Sequence, residues 1–430
     1  MKTYASIILL LCAALSAQEK NVPPPGWTAM FSGTDLSGWR GRPHLDPQKE
    51  AAMGAEARAE KQAAWDRSVR EHWRVEDGAV VNDGKGVYLT TKREYGDFEL
   101  LIDYRTVALA DSGIYLRCNP QVQIWDTTRA GGKWEIGADK GSGGLWNNER
   151  HARMPLAHAD RPFGEWNRLR IRMVGSVVSV RFNGQLTVDD VIMENYFDRS
   201  RPIMARGPVQ LQTHGGEIRW RNIFIREISP KEANQILMDR RSAGFAAVFN
   251  GKDLTGWTGA VEHYEVVQGA IRCRKGRGGT VHTKAEYENF AARLEFKLPP
   301  GGNNGLAIRY PGKGDAAYDG MCEVQVLDNT HQKYAKLKSW QYHGSIYGMV
   351  PAHRGYLRPP GSWNFEEVTV KGSTITVELN GFVITEADLA KIEKPASGRK
   401  HPGRMRQRGH FGFAGHGDPV EFRKVKVKTL

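Results

Sequence analysis

Apolar and polar residues alternate along much of this chain in short stretches. Phe98-Glu-Leu-Leu-Ile-Asp-Tyr104, Leu169-Arg-Ile-Arg-Met173, Val177-Val-Ser-Val-Arg-Phe182 and Ile218-Arg-Trp-Arg-Asn-Ile-Phe-Ile225 approach a period of two. That period turns one face of a strand toward a core and the other toward water. Asn183-Gly184 and Asn380-Gly381 are the residue pairs that tight hairpins need. Many short strands separated by turn residues predict an all-β protein of antiparallel sandwiches or jelly rolls.

The pattern occurs twice. Phe31-Ser-Gly-Thr-Asp-Leu-Ser-Gly-Trp39 returns as Phe249-Asn-Gly-Lys-Asp-Leu-Thr-Gly-Trp257, and Asp111-Ser-Gly-Ile-Tyr-Leu-Arg117 as Asn303-Asn-Gly-Leu-Ala-Ile-Arg309. Gln121-Val-Gln-Ile-Trp-Asp126 returns as Glu323-Val-Gln-Val-Leu-Asp328, and Gly164-Glu-Trp-Asn167 as Gly361-Ser-Trp-Asn364. His214-Gly215 with Arg221 matches His416-Gly417 with Arg423. The order never changes, so the chain is a tandem duplication. Its 430 residues suit two cores of about 200 residues each, a first unit over 24–228 and a second over 244–430. Between them, in 229–243, Ser229-Pro230-Lys231-Glu232 combines a capping serine, proline at the first helical position and glutamate three residues after the serine. This predicts a short linking helix. An Ala-, Glu-, Lys- and Arg-rich insertion over about 46–72 predicts one amphipathic or solvated helix in the first unit.

Composition narrows the setting. Lys2, the apolar run Ile7-Ile8-Leu9-Leu10-Leu11-Cys12-Ala13-Ala14-Leu15 and the small residues Ser16 and Ala17 read as a signal peptide over 1–17, too short to span a membrane. The mature protein is then expected in the periplasm or secreted. Removal of that segment leaves Cys118, Cys273 and Cys322, with no paired spacing of a disulfide scaffold or zinc site. They read as small apolar residues. The net charge of +13 is densest in Arg399-Lys400-His401-Pro402-Gly403-Arg404-Met405-Arg406-Gln407-Arg408. No recognition helix, zinc pattern or RNA-binding signature accompanies it, so a solvated basic loop is expected and nucleic acid is not.

The opening Phe-x-Gly-x-Asp-Leu-x-Gly-Trp, Ser112-Gly113-Ile114-Tyr115-Leu116-Arg117, Glu323-Val-Gln-Val-Leu-Asp328-Asn329, Gly164-Glu-Trp-Asn167 and Leu211-Gln-Thr-His214-Gly together resemble the 3-keto-disaccharide hydrolases, or 3-keto-glucoside 1,2-lyases and hydratases. The resemblance covers nearly everything after the leader. It implies two tandem concanavalin-like jelly rolls and an exported enzyme for glycosides whose carbon 3 was oxidised by a partner sugar 3-dehydrogenase. A ketone at carbon 3 acidifies the hydrogen on carbon 2, so a base can remove it while the carbon 1 substituent leaves and water later adds. Such chemistry needs a base, an acid for the leaving oxygen and a stabiliser for the enolate.

In the second unit, alternation puts Glu323 and Gln325 on one strand face, with Asp328 at the strand end. Asp328 or Glu323 is the expected base, His416 the acid or proton relay, and Arg309 the enolate or hydroxyl clamp. The first unit offers Gln123, Asp126, His214 and Arg117 at matching positions, but Gln121 replaces Glu323. Trp125, Trp134 and Trp146 flank glycine-rich runs there, and Tyr342, His343 and Tyr347 fill the matching stretch of the second unit. With Arg221 and Arg423 they are the expected sugar contacts. Against this stand a Glu323–Arg309 salt bridge, a His416 that only satisfies a turn, and tryptophans that belong to the core. The motifs identify no certain cofactor. The carboxylate, amide and imidazole donors would suit a divalent cation, although their spacing matches no self-sufficient metal motif. The rival function is a tandem carbohydrate-binding protein without turnover.

Overall fold

The computed structural model describes residues 20–430, so the leader expected over 1–17 lies outside the described residues. Each half is a sandwich of an eight-stranded and a five-stranded antiparallel sheet. In the first, the large sheet centres on Phe98–Thr106, flanked by Asn167–Val174 and Ile218–Glu227. The small sheet runs Trp39–Arg42, Tyr88–Thr91, Gln210–Leu211, Asp111–Leu116, Asn119–Trp125. Its counterpart runs Trp257–Gly259, Gly278–Tyr287, Gly409–His416, Asn303–Tyr310, Cys322–Leu327. This is the expected all-β pair of jelly rolls.

The alternation explains the packing. Phe98, Leu100, Ile102 and Tyr104 enter the core with Leu169, Ile171 and Met173 from the neighbouring strand. Glu99 and Asp103, on the other face, pair with Arg170 and Arg168. Asn183 and Asn380 take positive φ ahead of Gly184 and Gly381, as tight hairpins require. Cys118, Cys273 and Cys322 are free and buried. Among the described residues no helix is long and apolar enough to cross a membrane.

The linking helix is Pro230–Asp239, with the Ser229 hydroxyl accepting from the Glu232 amide. Its Ala233, Leu237 and Met238 pack with Val174 and Val177 of the first sandwich and Phe365 of the second. The halves also meet directly, where the Ser176 amide and hydroxyl donate to the Gly381 carbonyl at 2.9 and 2.7 Å. The insertion is two helices, Pro47–Ala51 and Ala55–His72, because the chain turns at Ala52–Gly54. It is fastened through Arg42, which is fully buried and bonds Glu50, the Leu45 carbonyl and Gln210 of the small sheet. Most of the basic segment is exposed, as expected of a solvated loop, but it is also anchored. His401 is buried, Arg404 and Arg406 donate to the carbonyls of Ile392 and Asp319, and Arg399 lies over the Tyr318 ring.

Candidate active site

The outer face of the first small sheet is a cleft of about 390 Å³. Strand alternation brings Asp111 and Tyr115 to it from one strand and Gln121, Gln123 and Trp125 from the next. A Cβ on Gly113 would lie 2.7 Å from Gln121 Oε1 and 3.0 Å from Gln212 Oε1, so only glycine lets those amides lie across the strand. Gln121, Gln123 and Asp111 form a directed chain, in which Gln121 Nε2 donates to Gln123 Oε1 and Gln123 Nε2 to Asp111 Oδ1 at 2.9 Å. Asp111 Oδ2 meets His214 Nδ1 at 3.0 Å and the Lys133 ammonium.

Burial pushes the Asp111 carboxyl up, but the hydrogen bonds from His214 and Lys133 outweigh it and hold the group below its ordinary value. The same bond to Asp111 raises His214 against the opposing effect of burial. The His214 side chain is 60% exposed and that of Asp111 10%, so the imidazole is the member of the pair a ligand can reach. Around them stand Tyr88, His44, Trp146, Ile136 and Tyr196.

The second sandwich repeats the histidine and moves the carboxylate. Asn303 stands in place of Asp111 and Glu323 in place of Gln121, and Glu323 Oε1 lies 3.7 Å from His416 Nε2. That carboxylate raises His416 against the pull of burial. Gln325 Nε2 donates to Asn303 Oδ1 at 2.6 Å, as Gln123 does to Asp111. The face above is partly filled. The connection over 311–321 folds back so that Ala316 packs with Ala307, Tyr310 and Ala414. In the first sandwich the same two strands are joined by Arg117 and Cys118 alone, and Tyr115 of that face stands where the second has Ala307.

Several expected site residues do other work. Asp126 accepts from the Leu109 amide and from the amide and hydroxyl of Thr128, while Asp328 accepts from the Gly301 amide and from Thr330 in the same way. Both carboxylates clamp loops at a strand end. Arg117 donates to the carbonyls of Gly96, Gly175 and Met204 and to Asp97, and Arg309 to the carbonyls of Glu288, Gly372 and Arg406 and to Asn289. These bonds tie hairpins together, and the Glu323–Arg309 bridge is not made. Arg221 stacks at 4.0 Å on Trp166 and Arg423 at 3.8 Å on Trp363, both on the large sheets. His343 is in the core, its ring 5.0 Å from Phe296. Tyr347 stays half-buried, edge-on to Trp340 at 5.3 Å. Trp125 and Trp146 do line the cleft, edge to face at 6.0 Å, whereas Trp134 lies outside it, 44% exposed.

Motif and spacing single out neither Lys133 nor His44, and mark Asp111 and Tyr115 only as members of a repeated stretch. One signal was present: the exchange of Asp111 for Asn303 accompanies the exchange of Gln121 for Glu323. Among the described residues no group of three or more His, Cys, Asp or Glu side chains is arranged to hold a metal ion. Asp111 is already engaged by Gln123, His214 and Lys133.

A family model described as the 3-keto-alpha-glucoside-1,2-lyase-like domain matches residues 26–226 and again 244–428. A 3-keto-disaccharide hydrolase from Bacteroides thetaiotaomicron is 25% identical over 248 residues, covering 48% of this chain and 86% of that protein. The structure of a candidate glycosyl hydrolase from Parabacteroides distasonis is 28% identical, covering 43% of this chain and 99% of that one, with a TM-score of 0.40. A Bacillus subtilis protein with a galectin-like fold is 12% identical over 41% of this chain and 90% of its own, with a TM-score of 0.30.

Proposed function

This chain belongs to the 3-keto-alpha-glucoside-1,2-lyase-like family, and from that premise we propose that it cleaves 3-keto-glycosides or 3-keto-disaccharides in the cleft of the first sandwich. The observation that carries this reading is the joining of Asp111, His214 and Lys133 in one aromatic-walled cleft. Asp111 holds His214 by Nδ1, which leaves Nε2 of the neutral imidazole as the base for the carbon 2 proton. A positioned base of this kind contributes about 10²–10⁴ in rate. The Lys133 ammonium supplies positive charge for the oxygen at carbon 3 as the enolate forms. Tyr88, Trp125 and Trp146 offer apolar faces to the sugar ring. The substrate must come from an oxidation at carbon 3, the class of reaction a sugar 3-dehydrogenase performs. The apolar run ahead of residue 17 supports carrying this out in the periplasm or after secretion.

The test is to incubate the protein and its His214→Ala variant with a 3-keto-disaccharide and with the unoxidised parent. The reading expects release of the sugar from the oxidised substrate alone, and a loss of about 10²–10⁴ in the variant. Because the base must be neutral, the wild-type rate should fall as pH drops through the raised titration of His214. Tight binding of the oxidised sugar without release would instead mark a carbohydrate-binding protein.

A further inference from the structure

The proposed chemistry leaves one role unfilled, the acid for the departing oxygen, and a second pair of side chains stands in the same cleft. His44 Nδ1 lies 2.9 Å from Tyr115 Oη. Tyr115 belongs to the same strand face as Asp111, while His44 comes from the chain entering the helical insertion. Its place is fixed from below, since the fully buried Arg42 bonds the carbonyls of Pro43 and Leu45 on either side of it and Glu50 in the first helix. Rings enclose it, Tyr196 and Phe197 each with a centroid 5.2 Å away and Tyr88 at 6.4 Å. An enclosed imidazole aimed at a phenol facing a cleft is more than filling, because the apolar wall around it needs no such polar pair.

We propose that Tyr115 is the catalytic residue that protonates the leaving oxygen, and that His44 is a positioning residue that holds the phenol and steadies it once it has given up its proton. This rests on the reading of the cleft given above. In the first half of the reaction His214 takes the proton from carbon 2, the bond from carbon 1 to the leaving oxygen breaks, and that oxygen takes the Tyr115 proton. In the second half the Tyr115 phenolate takes a proton from water as the water oxygen bonds to carbon 1, and His214 returns its proton to carbon 2. The sum is glycoside plus water giving sugar plus alcohol, with both groups restored. Burial raises the Tyr115 phenol, which keeps its proton in place until the leaving oxygen demands it. Burial, and then the charge of Arg42, lowers His44, which therefore acts as a neutral hydrogen-bond donor. The second sandwich has neither group, with Ala307 at the position of Tyr115 and no helical insertion.

The experiment compares methyl and 4-nitrophenyl 3-keto-glucosides, since nitrophenolate leaves without an acid and methoxide does not. Tyr115→Phe and His44→Ala should lose about 10²-fold or more on the methyl substrate and under about 10-fold on the nitrophenyl one. His44→Asn, which keeps a donor near the place of Nδ1, should recover part of the methyl activity. Thermal melting of each variant checks that it is folded, and the ratio between the two substrates reads correctly even if one variant is partly unfolded. Equal losses on both substrates, or none on either, would overturn the acid assignment. If wild type releases neither alcohol, or His214→Ala matches wild type on both, the reading of the cleft fails and the acid assignment falls with it.

Discussion

The two sandwiches share topology and strand register, yet their small sheets present different faces. The first is an aromatic cleft in which Asp111 supports His214 and Lys133. The second holds His416 near Glu323 beneath a connection that packs Ala316 onto Ala307 and Ala414. On each face one carboxylate of the small sheet stands beside the histidine, drawn from a different strand and set against a different ring nitrogen, Asp111 against Nδ1 of His214 and Glu323 against Nε2 of His416. The hydrogen-bond chain explains why. Gln121 donates to Gln123, which donates to Asp111, and a second carboxylate at position 121 would stand one amide away from the ionised Asp111, like charge against like charge. The duplicated fold therefore keeps the histidine, and lets its carboxylate change strands and, with the strand, the ring nitrogen it meets.

The largest effect that separates the faces should come from the histidines. His214→Ala is expected to lower turnover of a 3-keto-disaccharide by about 10²–10⁴. His416→Ala, on the partly filled face, should leave most of that rate. Equal losses in steady-state assays of the two variants would mean that the reaction is divided between the sandwiches.

The next contrast is in stability. At the core positions where the first sandwich has Ser142 and Leu169, the second has His343 and Glu366. His343 Nε2 and Glu366 Oε1 are 3.9 Å apart, and neither they nor Glu366 Oε2 have a hydrogen-bond partner. Burial pushes Glu366 up to about 8 and His343 down to about 3. With the folded carboxyl raised, its share of stability is present below its ordinary 4.5 and lost as pH rises through about 8. With the folded imidazole depressed, its share is present above its ordinary 6.5 and lost as pH falls through about 3. Stability should thus be flat between these ordinary values and fall on both sides. His343→Ser with Glu366→Leu, which restores the residues of the first sandwich, should stabilise the protein by about 1–4 kcal/mol. Denaturant titrations at pH 5.5 and 8.5 would show a larger gain at the higher pH, and a loss at both would contradict the account of this pair.

Much of the fold was legible because the relevant signals are local. Alternation gave Phe98–Thr106 its buried face, Asn-Gly marked the hairpins, and Ser229-Pro230 marked the linking helix. The site was less legible because its members meet only through the fold. Spacing gave no way to choose Asp111 over Asp126. Yet Asp126-Thr127-Thr128 and Asp328-Asn329-Thr330 carry the side-chain-to-backbone turn chemistry that the structure shows them using. Arg117 and Arg309 matched between the repeats because both tie hairpins by the same carbonyls, a structural cause indistinguishable in sequence from a chemical one. Lys133 lies in a loop whose sequence diverges between the repeats and His44 just ahead of the insertion, and only the folding of those segments over the sheet brings them to Asp111 and Tyr115.

The most direct test of the exchanged carboxylate is made in the first sandwich alone. Asp111→Asn removes the partner of His214 and should lower turnover of a 3-keto-disaccharide. Adding Gln121→Glu rebuilds the arrangement of Asn303 and Glu323 beside His416. In the double variant the new carboxylate should meet Nε2, the nitrogen proposed as the base, as Glu323 meets Nε2 of His416, so turnover should be no faster than that of Asp111→Asn. A folded double variant about tenfold faster than the single one, near 1.4 kcal/mol of barrier, would contradict the assignment of Nε2 as the base held in place from Nδ1.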